Sequence, residues 1–378
     1  MRWQHALAGW LNRTWSSALD DRTSTIPRTV LDQHVLAHVS NHIGFLTLNR
    51  PAGLNALTLD MVRQLTAALQ GWAHDDGVHA VVLRGSGDKA FCAGGDVRAL
   101  YDSYLGQLGL HESFFSEEYA LDLLLHHYRK PLLAIIDGYC LGGGMGLAQA
   151  CELRVVTEHS QLGMPETAIG FFPDVGGSYF LSRIPGELGT YLGLTGQRVG
   201  AADALYCGLA DWHVPRERLA DLTQGLADIQ WTDSPLKDLQ NLLARLGTQA
   251  LPNPPLAELR PAIDHFFAQQ DIAAIHQQLR QVNLGASREW ALATAGLLEQ
   301  RSPLAMAVTL QMLRRGRHAS LEACFAQETH VGQKWLEHGD FLEGVRAQLV
   351  DKDRQPRWRH PSVDALAPAD WETFFEGL

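Results

Sequence analysis

Cysteine is scarce in this chain, and what there is forms no pattern. Cys92, Cys140, Cys151, Cys207 and Cys324 are the only five in 378 residues. An odd count with no disulfide or zinc-ligand spacing points to reduced thiols in a cytosol-like compartment. Long hydrophobic runs are missing too: none reaches the ~18–20 residues of a membrane-spanning helix, so no membrane partner is expected. Positive charge is in deficit, with 31 Lys and Arg against 42 Asp and Glu, a formal net charge of −11. That balance argues against nucleic acid as a partner and leaves room only for a local basic patch. There is no low-complexity tract, no strong internal repeat and no Walker-type Lys-Ser/Thr pair. With 46% apolar and 19% charged residues the composition is that of a globular protein. The length exceeds the ~250–300 residues at which single cores stop growing, so one large domain with an appended helical part is expected.

Residues 1–30 read as an N-terminal extension. Arg2, Arg13, Arg22 and Arg28 among Ser and Thr have the flavour of a transit peptide, but Asp20 and Asp21 count against one. A cytoplasmic, bacterial-type location is therefore expected ahead of a mitochondrial matrix one.

What the chain does have is alternation of short strands and helices. Residues 35–48 read as a hairpin with Asn41-His42 near its turn. Leu57, Met61, Leu65 and Leu69 recur at helical spacing behind Thr58, a good N-cap. Residues 80–83 and 132–136 are β-branched or aliphatic runs, with a helix predicted over 114–128 between them. Residues 153–156 form a further strand, and 209–214 a last short one. Such alternation predicts an α/β fold, with each turn of chain adding one layer to a stacked spiral. Beyond the Pro-rich residues 251–255 the pattern is helical, Leu304, Val308 and Met312 carrying one apolar stripe. The expected division is a spiral core over 31–225 and a C-terminal helical region over 226–378.

Two glycine-rich turns stand out, KAFCAGGD at 89–96 and LGGGMG at 141–146. Each lies between a predicted strand and a predicted helix: Asp96 suits the N-cap of the first helix, and the second opens at Met145. Three consecutive glycines cost backbone entropy on folding and need a reason. Two such turns can bring two main-chain N–H groups to one point and stabilise negative charge on a carbonyl oxygen, which suggests an acyl-group enzyme. Close helix–strand packing is the competing explanation for either turn alone. Downstream, GMPETAIGFFPDVGG at 163–177 holds two carboxylates, Glu166 and Asp174. On neighbouring loops they can serve as general acid and base or as nucleophile and base, or merely as helix caps. Cys92 has no obvious histidine partner and reads as a packing residue. His126-His127 has no third ligand nearby, so no metal site is expected. Ser178 lacks a nucleophile-elbow context.

These segments resemble the enoyl-CoA hydratase/isomerase (crotonase) superfamily from about Val35 to Val214. Within it, residues 90–102, 142–147, 164–186 and the tail DFLEGVRAQLVDKDRQPRW at 340–358 are similar to the 3-hydroxyisobutyryl-CoA hydrolase family. The resemblance implies a crotonase-like spiral of ββα turns ending in a C-terminal α-helical region. It implies an acyl-CoA substrate, with coenzyme A part of the substrate and no separate cofactor. By motif position, the Gly95 and Gly143 N–H groups hold the thioester oxygen and Ala93 offers its carbonyl to the adenine. Glu118 faces the acyl group, and Glu166 and Asp174 are the catalytic carboxylates. Hydratases of the superfamily carry a first glutamate just after the triple glycine; here that place is Gly146. The implied reaction is hydrolysis of a short-chain 3-hydroxyacyl-CoA, 3-hydroxyisobutyryl-CoA first, in valine breakdown. The alternatives are an enoyl-CoA hydratase or isomerase and a catalytically silent CoA-binding protein. Superfamily members form trimers or hexamers through C-terminal helices, which leaves a homo-oligomer open against a longer tail over that surface.

Overall fold

A hairpin begins the spiral in the computed structural model, which describes residues 33–247, 251–283, 285 and 287–378. The extension at 1–30 lies outside the described residues. Strands β1 (Val35–Ser40) and β2 (Ile43–Leu48) pair antiparallel. Asn41 and His42 turn the chain at φ values of 46° and 60°, the left-handed geometry of a two-residue hairpin turn.

After the hairpin every pairing between named strands is parallel, and the strands come in pairs. β3 (Ala80–Gly85) leads to β4 (Ala90–Cys92), β5 (Leu132–Ile136) to β6 (Tyr139–Leu141), and β7 (Leu153–Val156) to β8 (Gln161–Gly163). The first of each pair joins a large sheet, closed by β9 (Trp212–His213), in the order β1-β2-β3-β5-β7-β9. The second joins a small sheet in the order β4-β6-β8. Each turn of chain thus adds one strand to each sheet and then a helix, the ββα spiral that the sequence leads one to expect.

The period-2 pattern decides which side each strand residue serves. Val81, Leu83, Ala134 and Ile136 face the main core, while Ala80, Val82, Leu133, Leu153 and Val155 face a second one. That second layer is covered by Leu222, Leu226, Leu239 and Leu243 of helices Leu219–Asp228 and Pro235–Leu246. Burial on both faces explains why these strands read as continuous apolar runs.

Helix α1 (Leu59–Ala73) starts at Thr58, whose hydroxyl accepts from the Met61 N–H at 3.2 Å. Helix α2 (Val97–Leu105) starts at Asp96, whose carboxylate accepts from the Ala99 N–H at 3.2 Å. Helix α3 (Leu110–His126) begins four residues ahead of the predicted 114, after Gly109 at φ 70°. Helix α4 (Gly143–Gln149) also begins early, with two of the three glycines in its first turn. Glycine is a poor helix former, but a Cβ on Gly144 would run into the Cys92 carbonyl oxygen, so close packing overrides propensity there. The remaining long helices are C-terminal, among them Pro303–Gly316, whose Leu304, Val308 and Met312 are buried as their spacing predicts, and Leu321–His338.

Candidate active site

The carboxyl ends of the three small-sheet strands converge on one cavity, as ligand sites in parallel sheets do. β4 delivers Ala93, Gly94 and Gly95; β6 delivers Gly142 and Gly143; β8 delivers Pro165 and Glu166. All of these line a cavity of about 210 Å³, together with Phe114, Glu118, Phe171 and Asp174.

The first glycine turn is held by the chain just after the hairpin. Ala93 N donates to Leu54 O at 3.0 Å, Leu57 N to Gly94 O at 2.8 Å and Asp96 N to Leu57 O at 2.8 Å. The buried Asn55 amide donates to Ser86 O and Ala90 O at 2.9 and 2.8 Å, and Arg50 pairs with Asp96 at 2.6 Å. Gly94 and Gly142 have φ values of 103° and 51°, which side chains rarely adopt. The two turns lie side by side: a Cβ on Gly143 would sit 3.4 Å from the Gly95 nitrogen. Among the hydrogen bonds of the described residues, neither the Gly95 nor the Gly143 N–H donates to another protein group. Gly143 opens α4, where N–H groups are unsatisfied and the dipole favours negative charge.

The lining beside these amides is acidic. Glu118 and Asp122, four apart on α3 and so on one face, are buried with Glu166 and Asp174. Glu166 Oε1 would lie 2.7 Å from a Cβ on Gly142, and Glu118 Oε1 abuts Gly143. Tyr119 Oη donates to Asp174 Oδ2 at 2.7 Å. Glu328, from the C-terminal helix, accepts from Gly176 N at 2.8 Å, Ser178 N at 2.9 Å and Ser178 Oγ at 2.5 Å. One oxygen of Glu118, one of Glu166 and both of Asp122 have no hydrogen-bond partner in the protein. Unpaired buried acceptors of this kind suit a polar ligand or a retained proton.

Burial lifts these acids out of the usual carboxylate range. It pushes Glu166 well up, with Asp174 adding repulsion. Glu118 rises from burial first and then from Asp174, Asp122 and Glu166. Asp122 rises from burial, Asp174 and Glu328. Asp174 is raised by burial only to about 7, because the Tyr119 hydroxyl stabilises its charged form. Both Glu166 and Asp174 are thus held above the ordinary carboxylate range, where a carboxyl group can exchange protons near neutral pH.

The structure brings all six sequence-predicted residues, Ala93, Gly95, Glu118, Gly143, Glu166 and Asp174, to this cavity. Behind the lining stand Tyr119 and Glu328, which bond to Asp174 and to the turn after it, and Asp122, buried one helical turn from Glu118. Asp122 was detectable as the helical neighbour of Glu118; Glu328 had no local signal. Asp174 is not a side-chain cap, since its carboxylate meets Tyr119. Cys92 is buried, its thiol pushed up to about 12 by burial, which suits packing and not nucleophilic attack. Ser178 is bonded into Glu328. His126 is half-buried against the Phe325 ring edge, and His127 is exposed beside Glu322 at 3.2 Å. No group of three or more metal-ligating side chains is arranged for an ion, and no helix is long and apolar enough to cross a membrane, among the described residues.

Known proteins resemble this one in sequence and structure. The family model described as enoyl-CoA hydratase/isomerase matches residues 43–375. The 3-hydroxyisobutyryl-CoA hydrolase, mitochondrial, of Danio rerio is 39% identical over 89% of this chain and 87% of its own length. The Homo sapiens protein of the same name is 36% identical over 92% and 89%. Among solved structures, a carnitinyl-CoA dehydratase from Mycobacterium thermoresistibile superposes with a TM-score of 0.83 at 38% identity, covering 92% of this chain and 97% of that one. An enoyl-CoA hydratase from Rhodobacter sphaeroides 2.4.1 gives 0.83 at 37% identity, covering 92% and 98%. The relatives' names correct the expectation of a cytoplasmic location, since these hydrolases are mitochondrial. That expectation rested on Asp20 and Asp21, outside the described residues, and on thiol state, which does not separate one reducing compartment from another. Matched over nearly its whole described length, the chain belongs to the enoyl-CoA hydratase/isomerase family.

Proposed function

We propose that this protein hydrolyses the thioester of a short-chain 3-hydroxyacyl-CoA, 3-hydroxyisobutyryl-CoA foremost, to the free acid and coenzyme A, in valine breakdown. Relatives that match most of its length carry that hydrolase name. The observation that carries the reading is the surroundings of Gly146. A Cβ there would lie 2.7 Å from Val175 Cβ and 3.0 Å from Asp122 Oδ2. A glutamate from α4, the first member of the hydratase pair, has no room; Glu166 corresponds to the second member, and its partner acid is Asp174 on another loop.

In this reading the thioester oxygen accepts from the Gly95 and Gly143 N–H groups, each such donor typically contributing ~2.7–4 kcal/mol at the transition state. Burial disfavours the Glu166 carboxylate and so makes it a stronger base and nucleophile once formed; in that form it either attacks the carbonyl carbon, giving a mixed anhydride that water then cleaves, or draws a proton from an attacking water. Asp174, held by Tyr119, orients the substrate hydroxyl or the water and passes a proton. Coenzyme A departs as a thiolate and is protonated. One water is consumed, and the acid and a free thiol are produced. Glu118 faces the acyl group and Ala93 offers its carbonyl to the adenine. No resident cofactor takes part.

The solved neighbours named as hydratase and dehydratase support a second reading, reversible hydration of an enoyl-CoA. A panel of short-chain 3-hydroxyacyl- and enoyl-CoAs separates the two. Thiol release from the hydroxyacyl substrates is expected. Loss of enoyl absorbance without thiol release would replace hydrolysis with hydration.

A further inference from the structure

The acidic turn is gripped at both ends by one helix that lies about 150 residues away in sequence. Gly170, just after the Glu166–Ile169 turn, offers its carbonyl to Trp335 Nε1–H at 2.8 Å. Gly176, just after Asp174, donates its N–H to Glu328 Oε2 at 2.8 Å, and Ser178 donates its N–H and hydroxyl to Glu328 Oε1. Glu328 and Trp335 both belong to helix Leu321–His338, and both are fully buried. Seven residues is almost two whole turns, so the pair shares one face about 10.5 Å apart along the axis. The chain turns left-handed at both grips, Gly170 at φ 69° and Gly176 at φ 82°, as glycine allows, and Val175 between them is strained at φ 50°. A β-branched residue at positive φ persists only where its surroundings impose it. The Phe171 and Phe172 rings, 6.1 and 5.2 Å from the Trp335 ring, fill the middle of the span.

We propose that helix Leu321–His338 is a splint for the reaction: Glu328 and Trp335 are positioning residues that fix the placement of Asp174 relative to Glu166 by holding the two ends of residues 170–176. The helical region is thereby a working part of the site. Neither residue lines the cavity, so each acts through the turn it holds. This inference rests on the hydrolase reading above.

Glu328→Gln tests it with little change of shape, because the amide NH2 must then face a backbone N–H where an acceptor stood. Trp335→Phe removes only the donor at the other end and keeps an aromatic ring. Each variant is expected to lose about ten-fold in kcat while KM stays within about three-fold, since misplacing a reacting group costs rate more than binding. Because freeing either end frees the turn, the double variant should lose less than the product of the single losses. Amide exchange at Gly176 and Ser178 should quicken at least about ten-fold in Glu328→Gln. Folded single variants with kcat within two-fold of wild type, or singles whose losses multiply in the double, overturn the splint. If wild type cleaves no thioester, the hydrolase reading fails instead. Exchange at Gly176 and Ser178 then decides the splint, unchanged rates overturning it.

Discussion

The amide wall of the cavity is held by backbone bonds to one neighbouring turn of the spiral, whereas the acid wall is assembled by side chains from farther along the chain. On the amide wall, Ala93 and Gly94 are tied to Leu54 and Leu57, fewer than 40 positions away, and Gly143 comes two residues after the end of β6. On the acid wall, Tyr119 reaches Asp174 across 55 positions and Glu328 reaches Gly176 across 152. The amide wall needs only a strand end, a glycine and a helix start. The acid wall has to hold several buried carboxyl groups against their own repulsion, which calls for donors and packing from several elements. The amides are fixed dipoles whose desolvation is met by the backbone they belong to. The acids are where stability is given up for reactivity.

The largest effect should come from the acid at the centre. Glu166→Gln is expected to lower kcat about 10³-fold, the scale of a lost nucleophile or general base, with KM within about three-fold. Single-turnover thiol release checks it, and wild-type rates would remove Glu166 from the chemistry. Next is the amide wall. Gly142→Ala places a methyl group at a φ of 51° and 2.7 Å from Glu166 Oε1. It should cost about 10²-fold in kcat by displacing the Gly143 donor and the acid together. Unaltered turnover would mean that the turn tolerates a shift and that the amide wall is less exacting than its glycines suggest.

The difference between the walls also decides what the sequence could disclose. The strand ends, the Thr58 and Asp96 caps and the hairpin at Asn41-His42 were legible because each is a short-range pattern. So were Gly142–Gly144 and Glu166, which sit in contiguous motifs. Propensity speaks against glycine and so points to Met145 as the start of α4, whereas the helix starts at Gly143, and at Gly144 the Cys92 carbonyl leaves no space for anything larger. Asp122 was within reach, four residues from Glu118, but a lone aspartate in a helical run reads as a solvated residue. Glu328 was out of reach: an acidic residue on a mixed helix gives no sign that it meets Gly176 and Ser178. The sheet pairing that stacks β4, β6 and β8 follows from the fold and not from any one segment.

Tyr119→Phe probes the acid wall more gently. Its hydroxyl bonds the charged form of Asp174 and offsets part of the rise that burial imposes, leaving the carboxyl at about 7. Removing the donor should raise that value, so the acid limb of the kcat–pH profile moves to higher pH and turnover near pH 7 falls by about ten-fold. At pH 9 most of the rate should return. A limb that stays in place, or moves to lower pH, would mean that Asp174 does not govern it.

Asp122→Asn should change turnover least, within about three-fold, yet it sharpens the contrast between the walls through stability. The folded protein holds Asp122 above its unfolded value of about 3.8, through burial first and then Asp174 and Glu328. In the window between the two values the native state keeps a proton that the unfolded chain has released. Stability from this group therefore falls as pH rises through that window and stays low above it. An amide of the same shape carries no such penalty. The variant should melt higher than wild type by about 2–5 °C at pH 8, and the gain should shrink toward zero below about pH 3, where Asp122 is protonated in the folded and the unfolded state alike. No comparable gain is available on the amide wall, where the polar groups are backbone and do not titrate. A melting temperature at pH 8 that stays level or falls would mean that Asp122 is stabilised as a carboxylate, and that the acid wall does not carry the strain ascribed to it.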